Sequence, residues 1–164
     1  MAAGIRLTAP QERALRFLID CLDHAGACYQ FSGGFAGNLH GSSWPLHDFD
    51  LDVAAADLPR LAPLLAPHTW HPLGPYQDEE FRLNLLRARI CGVEVDVTEA
   101  ETACGRSGGT WVPLGIDLDR RILLPVLDLQ VWVQPLDALI AYKELIGREK
   151  DLLELRSLSP SPRP

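Results

Sequence analysis

Three carboxylates at alternate positions, Asp48, Asp50 and Asp52, occupy the run Asp48-Phe49-Asp50-Leu51-Asp52-Val53, shortly after Phe31-Ser32-Gly33-Gly34-Phe35-Ala36-Gly37-Asn38-Leu39-His40-Gly41. On a strand successive side chains point to opposite faces, so the acids share one face while Phe49, Leu51 and Val53 bury the other. Like charges at this spacing repel, and a hard divalent cation such as magnesium, which prefers carboxylate oxygen, relieves the repulsion. At about 3.3 Å per residue Asp48 and Asp52 stand roughly 13 Å apart, so only neighbours, 48 with 50 or 50 with 52, can chelate together. The Ser32-Gly33-Gly34 turn supplies a complementary chemistry. Glycine permits positive φ and close backbone approach, so amides there can cradle a phosphate where a helix begins. Phe35 to His40 has the composition of that short helix, and the two segments together point to a metal-and-phosphate site.

A second half-buried strand is predicted over Arg89-Ile90-Cys91-Gly92-Val93-Glu94-Val95-Asp96-Val97, where apolar and acidic residues alternate after a glycine. Glu94 and Asp96 face the same side of it, and either can join the acidic cluster. Pro135 to Leu153 has a helical apolar period interrupted near Gly147. The two lysines of the chain, Lys143 and Lys150, both lie here. An ordinary helix also places lysine near its C-terminal end to meet the dipole.

The order of strand, Gly-Gly, short helix and Asp-x-Asp strand resembles the DNA polymerase β-type nucleotidyltransferase superfamily. SGGFAGNLHG followed by HDFDLDV is most similar to small bacterial members: the aminoglycoside and lincosamide nucleotidyltransferases and the nucleotidyltransferase-like toxins of toxin–antitoxin systems. The resemblance implies an α/β nucleotidyltransferase fold, a short mixed β-sheet flanked by α-helices. It implies magnesium-dependent transfer of a nucleoside monophosphate from an NTP, ATP foremost, to a hydroxyl of a small molecule, an RNA end or a protein, releasing pyrophosphate. By the same resemblance Asp48 and Asp50 hold two Mg2+ ions and Asp96, set between two valines, is the third catalytic acid and completes the ligand set of one ion, with Asp52 left as an extra. Ser32, Gly33 and Gly34 then hold the nucleotide phosphates through backbone amides and the serine hydroxyl. Lys143 neutralises phosphate charge, with Arg148 or Lys150 assisting. Two-metal sites hold their ions about 3.5 to 4 Å apart. The segment Ser42-Ser43-Trp44-Pro45-Leu46-His47 departs from the pattern, because many relatives carry Arg and Thr or Ser there. Ser42 or Ser43 would have to substitute, and Trp44 is placed to stack on a base or to pack.

The rest of the chain reads as scaffold. With 164 residues, 47% hydrophobic and 23% charged, it can bury one core without staples, and residues 1–156 are expected to form one domain followed by a disordered tail, 157–164. Thr8 caps a predicted helix with Pro10 in its first turn, running to about His24. Asp57 caps a second, to Ala66; 67–75 is predicted to be an irregular link, and Arg82, Arg87 and Arg89 follow on a strand. Residues 103–110 are predicted to form a glycine-rich mobile loop, and Leu123–Val126 and Gln130–Gln134 to be extended. Cys21, Cys28, Cys91 and Cys104 lack a C-x-x-C pair, which argues against zinc and a disulfide framework, and Cys104 is predicted to be the most exposed. His40, His47, His68 and His71 show no metal spacing.

Net charge of −7 disfavours an extended nucleic-acid substrate, which binds clustered cations. Arg82, Arg87, Arg89, Arg106, Arg120 and Arg121 leave room for a local basic patch. No apolar run approaches the roughly 20 residues that span a bilayer and no basic-plus-apolar leader opens the chain, so a cytoplasmic protein is expected. The resemblance places further helices after this region in many relatives, so a homodimer or partner protein is an expected source of acceptor contacts. A non-catalytic binding protein on the same scaffold, a toxin–antitoxin component or regulatory subunit, is the alternative function.

Overall fold

The structure, a computed structural model, describes residues 4–158. Helix α1 (Ala9–Ala25) begins at a full capping box. Thr8 accepts from the Gln11 amide, and the Gln11 side chain accepts from the Thr8 amide. Gly26, at φ 59°, ends it. One apolar face, including Leu15, Leu18 and Leu22, packs into the core. Strand β1 (Tyr29–Ser32) runs directly into helix α2 (Gly33–Leu39), and β2 (Asp48–Val53) returns antiparallel beside β1. Phe31, Phe35 and Phe49 meet edge-to-face behind this unit, with centroids 4.9 to 6.1 Å apart, and fix α2 against the sheet.

Helix α3 (Leu58–Leu65) follows as expected, but Asp57 does not cap it through its side chain. That carboxylate accepts instead from the Cys28 amide and pairs with Arg60. The expected irregular link over 67–75 is a strand, β3 (Thr69–Gln77), paired antiparallel with β4 (Phe81–Ile90) through register shifts near Pro72 and Gly74. Proline and glycine read as breakers in the sequence, yet a strand tolerates them at bulges and at a sheet edge. Cys91 and Gly92, both at positive φ, make the two-residue turn into β5 (Val93–Glu99), so the acidic strand begins at Val93 rather than Arg89. The expected loop over 103–110 is a hairpin, β6 (Cys104–Ser107) and β7 (Thr110–Pro113), turned at Gly108-Gly109. Strands β8 (Ile122–Val126) and β9 (Leu129–Val133) pair antiparallel, and β9 lies parallel to β1.

The result is one mixed sheet, ordered β7-β6-β4-β5-β2-β1-β9-β8 with β3 on β4, larger than the short sheet expected. Helices α4 (Leu136–Leu145) and α5 (Glu149–Ser157) are separated where expected, at Gly147 with φ 74°. Ser157 closes α5 and Leu158 packs on the core, while residues 159–164 of the expected tail lie outside the described residues. Cys91 is exposed whereas Cys104 is only partly so, the reverse of expectation, because Cys91 sits in the hairpin turn. Among the described residues no helix is long and apolar enough to cross a membrane.

Candidate active site

Strand register assembles the site. Ser32 pairs with Asp50 across β1 and β2, and Asp50 pairs with Asp96 across the parallel strands β2 and β5. The end of the glycine turn and two acids therefore stand in one row, with strands about 4.8 Å apart. A cavity of about 550 Å3 opens over the row, and Ser32, Gly33, Gly34, Asp48, Asp50, Asp96 and Lys143 all line it. These seven residues, the principal set expected from sequence, are thus brought to one place.

The glycine turn is needed at one of its two positions. Gly33 has φ 62°, and a Cβ there would lie 2.4 Å from Asp50 Oδ2, so backbone and carboxylate approach as only glycine permits. A Cβ on Gly34 would meet nothing within 4 Å. Ser32 stands at the N-cap of α2 but its hydroxyl makes no capping bond, which leaves it turned to the cavity.

The acids are held at an electrostatic disadvantage. Burial, followed by the neighbouring Asp48, Asp96 and Asp52 charges, pushes the Asp50 carboxyl well above the usual range, and Lys143 only partly opposes this. Burial and Asp96 also push Asp48 up. No hydrogen bond contributes to holding either charge. Two half-desolvated, unpartnered carboxylates on one face suit a hard divalent cation, so the residues present fit magnesium at Asp48 and Asp50. Asp96 is engaged elsewhere: Arg87 grips it with Nε to Oδ1 at 3.1 Å and Nη2 to Oδ2 at 3.2 Å. Among the described residues no three metal-ligating side chains are gathered into a ready cage, so Asp96 can complete the set only by exchanging Arg87.

Lys143 is 5% exposed, pairs with Asp151 at 2.9 Å and lies 5.6 and 5.5 Å from the Trp44 and Tyr142 rings. Of its two suggested helpers, Arg148 lines the cavity and pairs with Glu80, whereas Lys150 is exposed and outside the lining. Ser42 and Ser43 do not replace the absent Arg and Thr. Ser42 accepts from Asn38, and Ser43 donates to Glu154. Trp44 lines the cavity but its ring edge occupies the space a Cβ on Gly37 would need, so it is packed on α2. Asp52 is 5% exposed, and burial pushes it up to about 6 although the Gln30 amide donates to it at 2.9 Å. Glu94 pairs with Arg89 outside the cavity.

Arg87, which the sequence reading placed on a strand and in a candidate basic patch but not in the site, lines the cavity beside Asp96. Tyr76 and Trp70 hold its guanidinium at 4.8 and 5.4 Å, and both belong to or flank the segment read as a link. Of the other arginines, Arg82 and Arg106 stack on the same Trp111 ring, Arg120 pairs with Asp137, and Arg121 covers Trp132. His40 Nε2 lies 2.7 Å from the Gln134 carbonyl.

No protein-family model and no curated protein sequence matches the chain. Solved structures do. TM1012 of Thermotoga maritima, a provisional nucleotidyltransferase, aligns with TM-score 0.73 and 18% identity over 92% of this chain and 94% of its own. The chain has the nucleotidyltransferase fold. The antibiotic-resistance factor ANT(2'')-Ia shares that fold at TM-score 0.60 and 14% identity, covering 92% of this chain and 83% of its own. The lincosamide adenylyltransferase LnuA gives 0.57 and 15%, covering 90% and 98%. At these identities the likeness is one of nucleotidyltransferase fold, and the row of Ser32, Asp50 and Asp96 lies in this chain's own strands.

Proposed function

We propose that the protein is a magnesium-dependent nucleotidyltransferase that moves a nucleoside monophosphate from an NTP to a hydroxyl acceptor. The observation that carries this reading is Asp50, half-buried and unpartnered among the described residues, beside Asp48 and in register with Ser32 and Asp96, over a cavity large enough for a nucleotide. Asp48 and Asp50 would hold the ions. Magnesium supplies, when bound, Lewis-acid neutralisation of the triphosphate and a lowered pKa for the attacking hydroxyl. Ser32 and the amides at Gly33 and Gly34 would hold the phosphates remote from the reacting one, and Lys143 would add a positive charge to them. Asp96, released from Arg87, would take the proton of the acceptor hydroxyl as its oxygen bonds to the α-phosphorus. The bond from that phosphorus to the pyrophosphate oxygen breaks, and pyrophosphate leaves. A small hydroxylated acceptor fits an acidic protein better than a polynucleotide does. ANT(2'')-Ia and LnuA, with antibiotic acceptors, provide the analogy for this class.

Thermal unfolding with each of the four NTPs, with and without magnesium, tests the reading. A magnesium-dependent rise in midpoint that disappears in the Asp48→Asn, Asp50→Asn double variant is the expected result. Asp50→Asn alone should abolish transfer while leaving the fold intact. One observation favours a second reading, a nucleotide-binding protein without turnover: Asp96 is clamped by Arg87 rather than turned to Asp50. Nucleotide stabilisation with no pyrophosphate release on any hydroxylated acceptor would select it.

A further inference from the structure

Behind the main cavity lies a smaller one of about 170 Å3, sharing Gln134, Tyr142, Leu114 and Ile116 with it. It is well under the roughly 300 Å3 at which cavities accommodate whole drug-sized ligands, so it suits part of a molecule whose remainder occupies the main cavity. Its walls are mostly apolar, yet two glutamines face into it. Gln30 is 1% exposed and Gln134 7%, and the Oε1 of each is buried without a hydrogen-bond partner. Gln30 spends its Nε2 on Asp52, which leaves its Oε1 turned the other way. The Gln134 side-chain amide bonds to no protein group among the described residues; its backbone carbonyl meets His40 and its backbone N–H donates to the Phe31 carbonyl.

A buried unpaired carbonyl costs about 1–3 kcal/mol, and two in one small cavity call for hydrogen-bond donors. A side-chain amide with both ends free meets a planar edge that places a donor beside an acceptor, the pairing by which glutamine reads the amine and adjacent ring nitrogen of adenine. Cytosine offers the same order, and guanine offers it only at its N2–N3 edge, whereas hypoxanthine and uracil carry no exocyclic amine. Tyr142 supplies an aromatic wall one residue from Lys143, so a base seated here would belong to a nucleotide whose phosphates reach that lysine.

Resting on the nucleotide-binding reading of the main cavity, we propose that the side cavity is the nucleobase pocket and that Gln134, backed by Gln30, selects a base carrying an exocyclic amine beside a ring nitrogen. Isothermal titration in magnesium compares ATP, CTP, ITP and UTP on the wild type and on Gln134→Met, which conserves shape and keeps the backbone carbonyl that His40 uses. The expected result is that ATP or CTP binds on the order of ten- to a hundredfold more tightly than ITP and UTP, a difference that Gln134→Met removes by weakening the favoured nucleotide alone. Equal affinity of the wild type for ATP and ITP, or discrimination that survives in Gln134→Met, overturns the proposal without touching the nucleotide site itself. Absence of binding by all four nucleotides overturns the reading on which it rests. The comparison of nucleotides on the wild type needs no variant, so it stands even if Gln134→Met misfolds.

Discussion

At the residue scale, the site is a set of charges whose burial sets their protonation. Asp52 is the clearest case, because it is buried and has one amide for a partner. Its pKa rises from 3.8 to about 6 on folding, so the unfolded chain binds fewer protons between those values. Stability is therefore full below about pH 4 and lost as pH rises through 6. Asp52→Asn removes that loss and keeps a carbonyl oxygen to accept from the Gln30 side-chain amide. In metal-free buffer at pH 7.5 the variant should be more stable by at most about 3 kcal/mol, a gain that vanishes near pH 4; urea titrations at the two pH values measure it. An equal gain at both would show that packing, not charge, was responsible. Asp48, Asp50 and Asp52 were legible as a set because alternation on a strand needs only the sequence. That Asp52 is bonded to Gln30 was not, since the partner comes from β1, some 20 residues away.

At the element scale, the β1–α2 turn carries the phosphate reading, and its two glycines are not equivalent. Gly33→Ala places a methyl at a left-handed φ and against Asp50, and it should abolish the nucleotide-induced thermal shift at a cost of about 1–2 kcal/mol or more in stability. Gly34→Ala should leave the shift within a degree or so of wild type, because its Cβ meets open space. Equal effects from both would refute the close-approach argument; differential scanning fluorimetry with MgATP is sufficient to compare them. Helices α1, α4 and α5 were legible from caps and period, and the Gly147 break from glycine alone. Strands β3, β6 and β7 were not, because Pro72, Gly74, Pro75, Gly105, Gly108 and Gly109 signal loops locally while pairing with β4 and within the hairpin holds them extended. Treating Cys91-Gly92 as a hairpin turn would have exposed Arg87, because pairing Ile90 with Val93 carries Arg87 opposite Asp96.

At the scale of the whole molecule, charge and fold together limit the substrate. The chain carries −7, and Arg87, Arg89 and Arg120 are paired with Asp96, Glu94 and Asp137, which leaves Arg82 and Arg106 on Trp111 and Arg121 on Trp132. A 20-nucleotide RNA should bind no more tightly than about 100 μM at 0.15 M salt, which fluorescence anisotropy can check, and tighter salt-sensitive binding would reopen a polynucleotide acceptor.

The sequence by itself determined the acidic strand, the glycine turn, the helical lysine and, through their order, the fold they belong to. Each of those is a local pattern, set by the two-residue period of a strand, the conformational range of glycine or the spacing of apolar residues on a helix. The tertiary structure decided what depends on contacts between distant segments. Register across β1, β2 and β5 placed Ser32, Asp50 and Asp96 in one row, the β4–β5 hairpin gave Asp96 to Arg87, and β9 running into α4 set Gln134 beside Gln30 at the back of the cavity. Pairing and burial are properties of residues that the chain brings together only when the whole sheet closes, and no window of sequence contains both partners.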